Sequence, residues 1–183
     1  MTMHGHGWAA GGASFLAMWT VMMVAMMLPS LVPSLSRSGR PLVLALGYFA
    51  PWAALGVAVH LAGAVRALSA ASGVVVLLAG ALQFTAWKAH HLARFRAAAE
   101  AGLGEPQSAA AAWRHGLRLG AHCVRSCAGP TAVLLALGVM DLRVMAVVTV
   151  AVTAERLAPR GELVARAAGA AAVGAGLVLI ASA

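Results

Sequence analysis

Met18, Met22, Met23, Met26 and Met27 place five of the chain's nine methionines within ten residues. Met18, Met22 and Met26 step by four, and Met23 and Met27 repeat that step. Residues four apart on a helix lie on nearly one face. The stretch therefore sets a ladder of thioethers, with a second rail beside it, along one helix. A thioether is a soft ligand, suited to Cu(I) and poor for magnesium, calcium or manganese. Plain packing is the alternative, because methionine fills irregular gaps between helices. Cys123 and Cys127 are also four apart. A disulfide at that spacing on a straight helix is geometrically awkward, so two thiols or two soft ligands on one face are the more natural reading. Two small apolar residues packing a helix are the bland alternative. Arg125 stands between them and supplies a cation that favours thiolate, the form that binds metal.

The elements that must carry these groups are membrane helices. The chain has 183 residues, of which 62% are hydrophobic and only 10% charged, against about 25% charged in a soluble domain. Several apolar runs of about 20 residues fit the thickness of a bilayer. The expected fold is all-α, a polytopic transmembrane bundle forming a single domain over residues 1–183. A polar tip covers 1–13, with His4 and His6 as ligands for copper or nickel and Gly11-Gly12 as a loose connector. Spans are expected at 14–33, 41–65, 72–89, 117–138, 144–157 and 163–182, with a loop at 90–116 that Gly102, Gly104 and Pro106 break into two Ala-rich pieces, short interfacial helices. The short fifth span is the weakest, and five spans result if it does not cross. Pro29 and Pro33 are expected to kink or end the first helix. Gly169, Gly174 and Gly176 permit close packing of the last. No basic n-region precedes the first apolar run, so no signal peptide is expected.

Charge orients the bundle. The loops after spans one, three and five hold ten of the 13 Lys and Arg. The positive-inside rule then puts those loops in the cytoplasm and both termini outside, in the cell inner (plasma) membrane. This also explains the net charge of +8 without nucleic acid. Outside lie His4, His6, His60, Met140 and Met145. The thioether ladder crosses the first span. His90, His91, His115, His122, Cys123 and Cys127 lie inside. A linear Cys–Cys or trigonal Cys–Cys–Met site for Cu(I) is the best single site. His122 added to the two cysteines could hold zinc, but no closed tetrahedral set is evident. Asp141, Glu155, Lys88 and Gln83 form either a proton or ion relay or ion pairs joining the spans.

Met18-Trp19 through Met26-Met27-Leu28-Pro29 with Pro33, then Gly47-Tyr48, Trp52, Gln83 and Lys88, resemble a known pattern. It continues through Gly116, Gly120, Cys123, Cys127, Gly138-Val139-Met140-Asp141, Met145 and Glu155-Arg156. The chain resembles the predicted metal-binding integral membrane proteins of domain of unknown function 2182. That resemblance implies a metal-binding membrane bundle. The family tends to have a Cys-rich stretch where this chain reads His90-His91, and Gly-Cys-Cys-Trp where it reads Arg125-Ser126-Cys127-Ala128. Either histidine replaces those thiols or part of the metal site is lost. Eukaryotic high-affinity copper transporters are similar only in using Met-x-x-x-Met on a membrane helix.

The expected function is binding or translocation of a soft metal, foremost Cu(I). The ligands would be Met18, Met22, Met23, Met26, Met27, Cys123 and Cys127, with His122, His4, His6, His60, Met140 and Met145 as further candidates. No phosphate-binding Gly-x-x-x-x-Gly-Lys-Ser/Thr loop is present, so transport would be passive, ion-coupled or driven by a partner. The expected partners are the lipid bilayer and a soluble metal-binding or accessory protein, with self-association open. The alternative is a metal-free scaffold or accessory subunit that docks a partner. An enzyme is not expected. A haem between His60 and His122 is disfavoured because the two sit near opposite faces of the membrane.

Overall fold

The computed structural model describes residues 5–63, 71–101, 108–138 and 141–182, with side chains from residue 12 onward. His4 and Met140 lie outside the described residues, as does the side chain of His6. Eight helices are present among the described residues: α1 (Gly5–Ser36), α2 (Pro41–Leu61), α3 (Ser72–Leu82), α4 (Ala86–Ala101), α5 (Ala109–Ser126), α6 (Ala128–Leu137), α7 (Leu142–Leu157) and α8 (Gly161–Ala181). The protein is all-α. Among the described residues, three helical stretches are long and apolar enough to cross a membrane: Gly12–Ser36, Pro41–Leu61 and Gly161–Ala181. The bent pair α3 and α4 makes a fourth if counted as one span.

Three local expectations change. Gly11 and Gly12 lie within α1 rather than in a connector, and α1 continues through Pro29 and Pro33 to Ser36. Each proline removes one backbone donor. Ser30 Oγ donates to the Met27 carbonyl at 2.9 Å and Ser36 Oγ to the Pro33 carbonyl at 3.1 Å. These hydroxyls are donors in the part of the helix where backbone donors are missing. The expected third span is broken: α3 and α4 meet at 65°. Thr85 makes the corner, donating to the Leu82 carbonyl at 2.7 Å while its oxygen accepts from Lys88 N at 3.4 Å. The expected fourth span is also two helices, joined at Cys127, which ends α5 and begins α6.

α5 buries one face, Ala112, Gly116, Leu119, Gly120 and Cys123, and exposes Arg114, Arg118 and Arg125 on the other. The stretch 90–116, expected as a loop carrying two short interfacial helices, is largely the antiparallel pair α4 and α5, which pack on each other; Gly102, Gly104 and Pro106 lie outside the described residues. Its buried face lies along α2. A Cβ on Gly116 would collide with the Leu44 carbonyl, and one on Gly120 with the Tyr48 carbonyl. Only glycine lets the two backbones touch, and that contact carries Tyr48 over the cysteines. α3 packs on α8 in the same manner, with Gly169 and Gly176 at the contact. Gly174, expected there too, has nothing within 4 Å of its would-be Cβ.

Gly120→Val should therefore cost about 1–3 kcal/mol by overpacking, seen as a lower melting temperature in detergent. Gly174→Ala should leave it unchanged or raise it slightly, since alanine favours a helix interior.

Candidate metal centre

Pro130 has no N–H, so the Ser126 carbonyl four residues earlier loses its helical donor. Lys88 Nζ, buried, takes that carbonyl at 2.6 Å. The same ammonium pairs with Glu155 Oε2 at 2.7 Å, and Gln83 Nε2 donates to Glu155 Oε1 at 2.8 Å. Gln83, Lys88 and Glu155 therefore join α3, α4, α5 and α7 as an ion-pair cluster. Asp141 takes no part in it: its Oδ1 caps α7, accepting from Arg143 N at 2.8 Å and Val144 N at 3.2 Å.

Arg156 follows Glu155, and consecutive residues on a helix point about 100° apart. Its guanidinium is turned away from the carboxylate and onto sulfur. Arg156 Nη2 lies 2.9 Å from Cys123 Sγ and 2.9 Å from Cys127 Sγ. Its Nη1 donates to Ser30 Oγ at 2.8 Å and to Tyr48 Oη at 3.3 Å, and lies 3.8 Å from Met27 Sδ. Tyr48 Oη itself donates to Cys123 Sγ at 2.9 Å. Met27 Sδ is 3.9 Å from Cys123 Sγ. Phe95 of α4 covers the guanidinium, 4.2 Å from carbon to ring centre, a favourable cation–π geometry. Both cysteines are free and buried. Arg96 Nη2 holds the end of α7 by donating to the Glu155 and Ala158 carbonyls, each at 2.6 Å.

This site carries soft donors and one cation. A buried charge is tolerated only when paired. Lys88 has the carboxylate, so the groups left for Arg156 are two thiol sulfurs, a thioether, two hydroxyls and a ring. Thiolate is the form that answers a guanidinium, and it is also the form that binds metal. The cation expected to favour thiolate was Arg125; Arg125 is exposed, and Arg156 takes that place. The sequence's signal for Arg156 is an ionisable residue closing an apolar segment, which marks a functional site by default. A cavity of about 360 Å³ has Ser30, Ser34, Arg37, Phe95, Glu100 and Arg156 in its lining.

The methionines divide. Met22, Met23, Met26 and Met27 are buried and Met18 is half-buried. Met27, from the flanking rail, is the one in contact with a cysteine. His60 stacks on Phe15, 5.1 Å between ring centres. Phe15 and Met27 are twelve residues apart, about 18 Å along α1, so His60 is remote from the sulfurs. Met145, eleven residues before Arg156 on α7, is about 16 Å away along the axis. His122 adjoins Cys123 but contacts His91 of α4, with ring centres 6.5 Å apart. Among the described residues no three His, Cys, Asp or Glu side chains converge on one point, so the zinc set of Cys123, Cys127 and His122 is not assembled. Half-buried His115 lies on α5 away from these groups; burial, then Arg118, lowers its pKa below the usual 6.5.

Fold and site together are those of an all-helical protein with membrane-length helices around a buried cluster of soft ligands. The chain belongs to the PpoB2 family, described as a copper chaperone, whose model matches residues 16–179. Copper is the metal this family handles. Neither a curated protein nor a solved structure matches the chain significantly.

Removing one partner of a buried ion pair leaves the other uncompensated, at a cost of about 3–5 kcal/mol. Glu155→Gln should therefore lower stability by that order in thermal or denaturant unfolding. Combining it with Lys88→Met should recover most of the loss.

Proposed function

We propose that this protein holds Cu(I) as cargo between Cys123 and Cys127, with Met27 as a third ligand. The observation that carries the reading is the meeting of three sulfurs from α1 and the α5–α6 junction on one guanidinium. Two thiolates and Cu(I) carry a net charge of −1, and Arg156 balances it. Arg156 lies between the sulfurs and the cavity near Arg37, so it stands on the way in or out. A second-sphere cation of this kind orients the ligands and tunes their basicity.

The buried methionines Met22, Met23 and Met26, with Met18 beyond them, extend the soft surface along α1 away from the cysteines. They are the route by which copper would cross to the opposite face. Affinity rises from thioether to thiolate, so copper would move towards Cys123 and Cys127. The charge pattern of the loops supports a multi-pass protein of the plasma membrane with six spans and both termini outside. The cysteine site then lies about 10–14 Å from the cytoplasmic ends of α1 and α2, where a soluble metal-binding protein would meet it. The residues that carry the resemblance to domain of unknown function 2182 all fall inside the matched segment, which supports treating both descriptions as one group.

The test is anaerobic loading of the detergent-purified protein with Cu(I), followed by elemental mass spectrometry. Retained copper should fall sharply in Cys123→Ser/Cys127→Ser. Arg156→Gln should weaken binding by about 10–100-fold, as loss of an outer-sphere group does. Copper retention equal to wild type in the double cysteine variant would exclude the site. Absence of copper from the wild type would favour the scaffold alternative.

A further inference from the structure

We propose a second copper site, formed by His91 of α4 and His122 of α5, on a different face of α5 from the cysteine pair. It rests on the copper-handling reading above. Nδ1 of each ring is buried and has no hydrogen-bond partner. Buried polar atoms are nearly always paired. Two orphaned ring nitrogens on facing helices are therefore a shared anomaly, and a neutral imidazole with a free nitrogen is a metal ligand.

The spacing fits one ion. The ring centres are 6.5 Å apart with planes inclined at 36°. Two opposed imidazoles, each bonded through nitrogen at about 2.0–2.1 Å, put their centres about 6 Å apart. The difference is within reach of a small rotation about the last side-chain torsion, which is soft in histidine. Trp87 packs edge-on against His91, 4.6 Å between centres, and walls one side. His90 stands 5.5 Å from His91 and is exposed. With no third ligand converging among the described residues, the site is two-coordinate.

Coordination number and charge both select the metal. Two-coordination suits Cu(I), whereas structural zinc takes four ligands. Arg94 and Arg125 are close enough to act on both rings. Their repulsion of a dication is twice that of a monocation at the same distance. His122 directly precedes Cys123 in α5, so copper leaving the sulfurs would have only a short way to travel. Imidazole binds Cu(I) less tightly than thiolate does, which makes the histidine pair a loose outer station beside a tight inner one.

The experiment loads full-length protein anaerobically with Cu(I) alone and reads copper content and X-ray absorption. Wild type should hold more copper than the cysteines account for, with both sulfur and nitrogen neighbours. Cys123→Ser/Cys127→Ser should keep copper bound only through nitrogen, and adding His91→Gln/His122→Gln should release it. His91→Gln/His122→Gln alone should keep sulfur-bound copper and lose the nitrogen signal. Circular dichroism and gel filtration identify variants that fail to fold, and His91→Ala with His122→Ala then replaces the glutamine pair. If the cysteine variant retains no copper while the histidine variant binds like wild type, this inference is overturned and the cysteine site stands. If no protein holds sulfur-bound copper but nitrogen-bound copper persists, the cysteine reading fails and this one survives. Zinc displacing copper from the cysteine variant would overturn the assignment to Cu(I).

Discussion

A guanidinium in the interior without a carboxylate constrains everything around it. Arg156 has two thiol sulfurs, a thioether, two hydroxyls and an aromatic face within reach. These groups come from α1, α2, α4 and the α5–α6 junction, and Arg156 reaches them from α7. Each helix must therefore arrive at the correct height and rotation before the charge is satisfied. The cost of leaving a buried cation unpaired is several kcal/mol, large beside a net folding stability of about 5–15 kcal/mol. The arrangement acts as a register for the bundle.

The neighbouring ion pair makes that register possible. Glu155 and Arg156 are adjacent, and had they faced one cluster the carboxylate would have neutralised the guanidinium. The helical turn between them sends Glu155 to Lys88 and Gln83, and Arg156 to the sulfurs. Lys88 in turn exists at that depth because Pro130 strips the Ser126 carbonyl of its backbone donor. A proline in α6, a lysine in α4 and a glutamate in α7 thus leave one cation free for the cysteines. A buried pair of this kind adds little net stability, but it makes misplaced alternatives expensive.

Sulfur chemistry and membrane-length helices meet at this point in a member of a copper chaperone family. In the proposed site, soft ligands would match a soft monovalent cargo, and one arginine would match the charge of the dithiolate complex. Arg156 also lines a cavity that it shares with Arg37, Phe95 and Glu100. Met27 ties the methionine-rich helix to the cysteines.

The all-helical class, the long apolar helices and the clustering of methionine and cysteine were legible in the sequence, because they depend on composition and on four-residue spacing that a helix preserves. The methionine rails and the Cys123–Cys127 pair are local patterns of this sort. Tertiary structure decided which rail touches the cysteines, since the rotation of α1 against α5 is set by packing and not by spacing. It decided the identity of the cation: Arg125 is adjacent in sequence but exposed, while Arg156 arrives from 29 positions away. It broke the third and fourth spans, because Thr85 can end one helix and begin the next and Pro130 can do so only with Lys88 in place. It also moved His122 from the cysteines to His91, since neighbours on a helix face different partners.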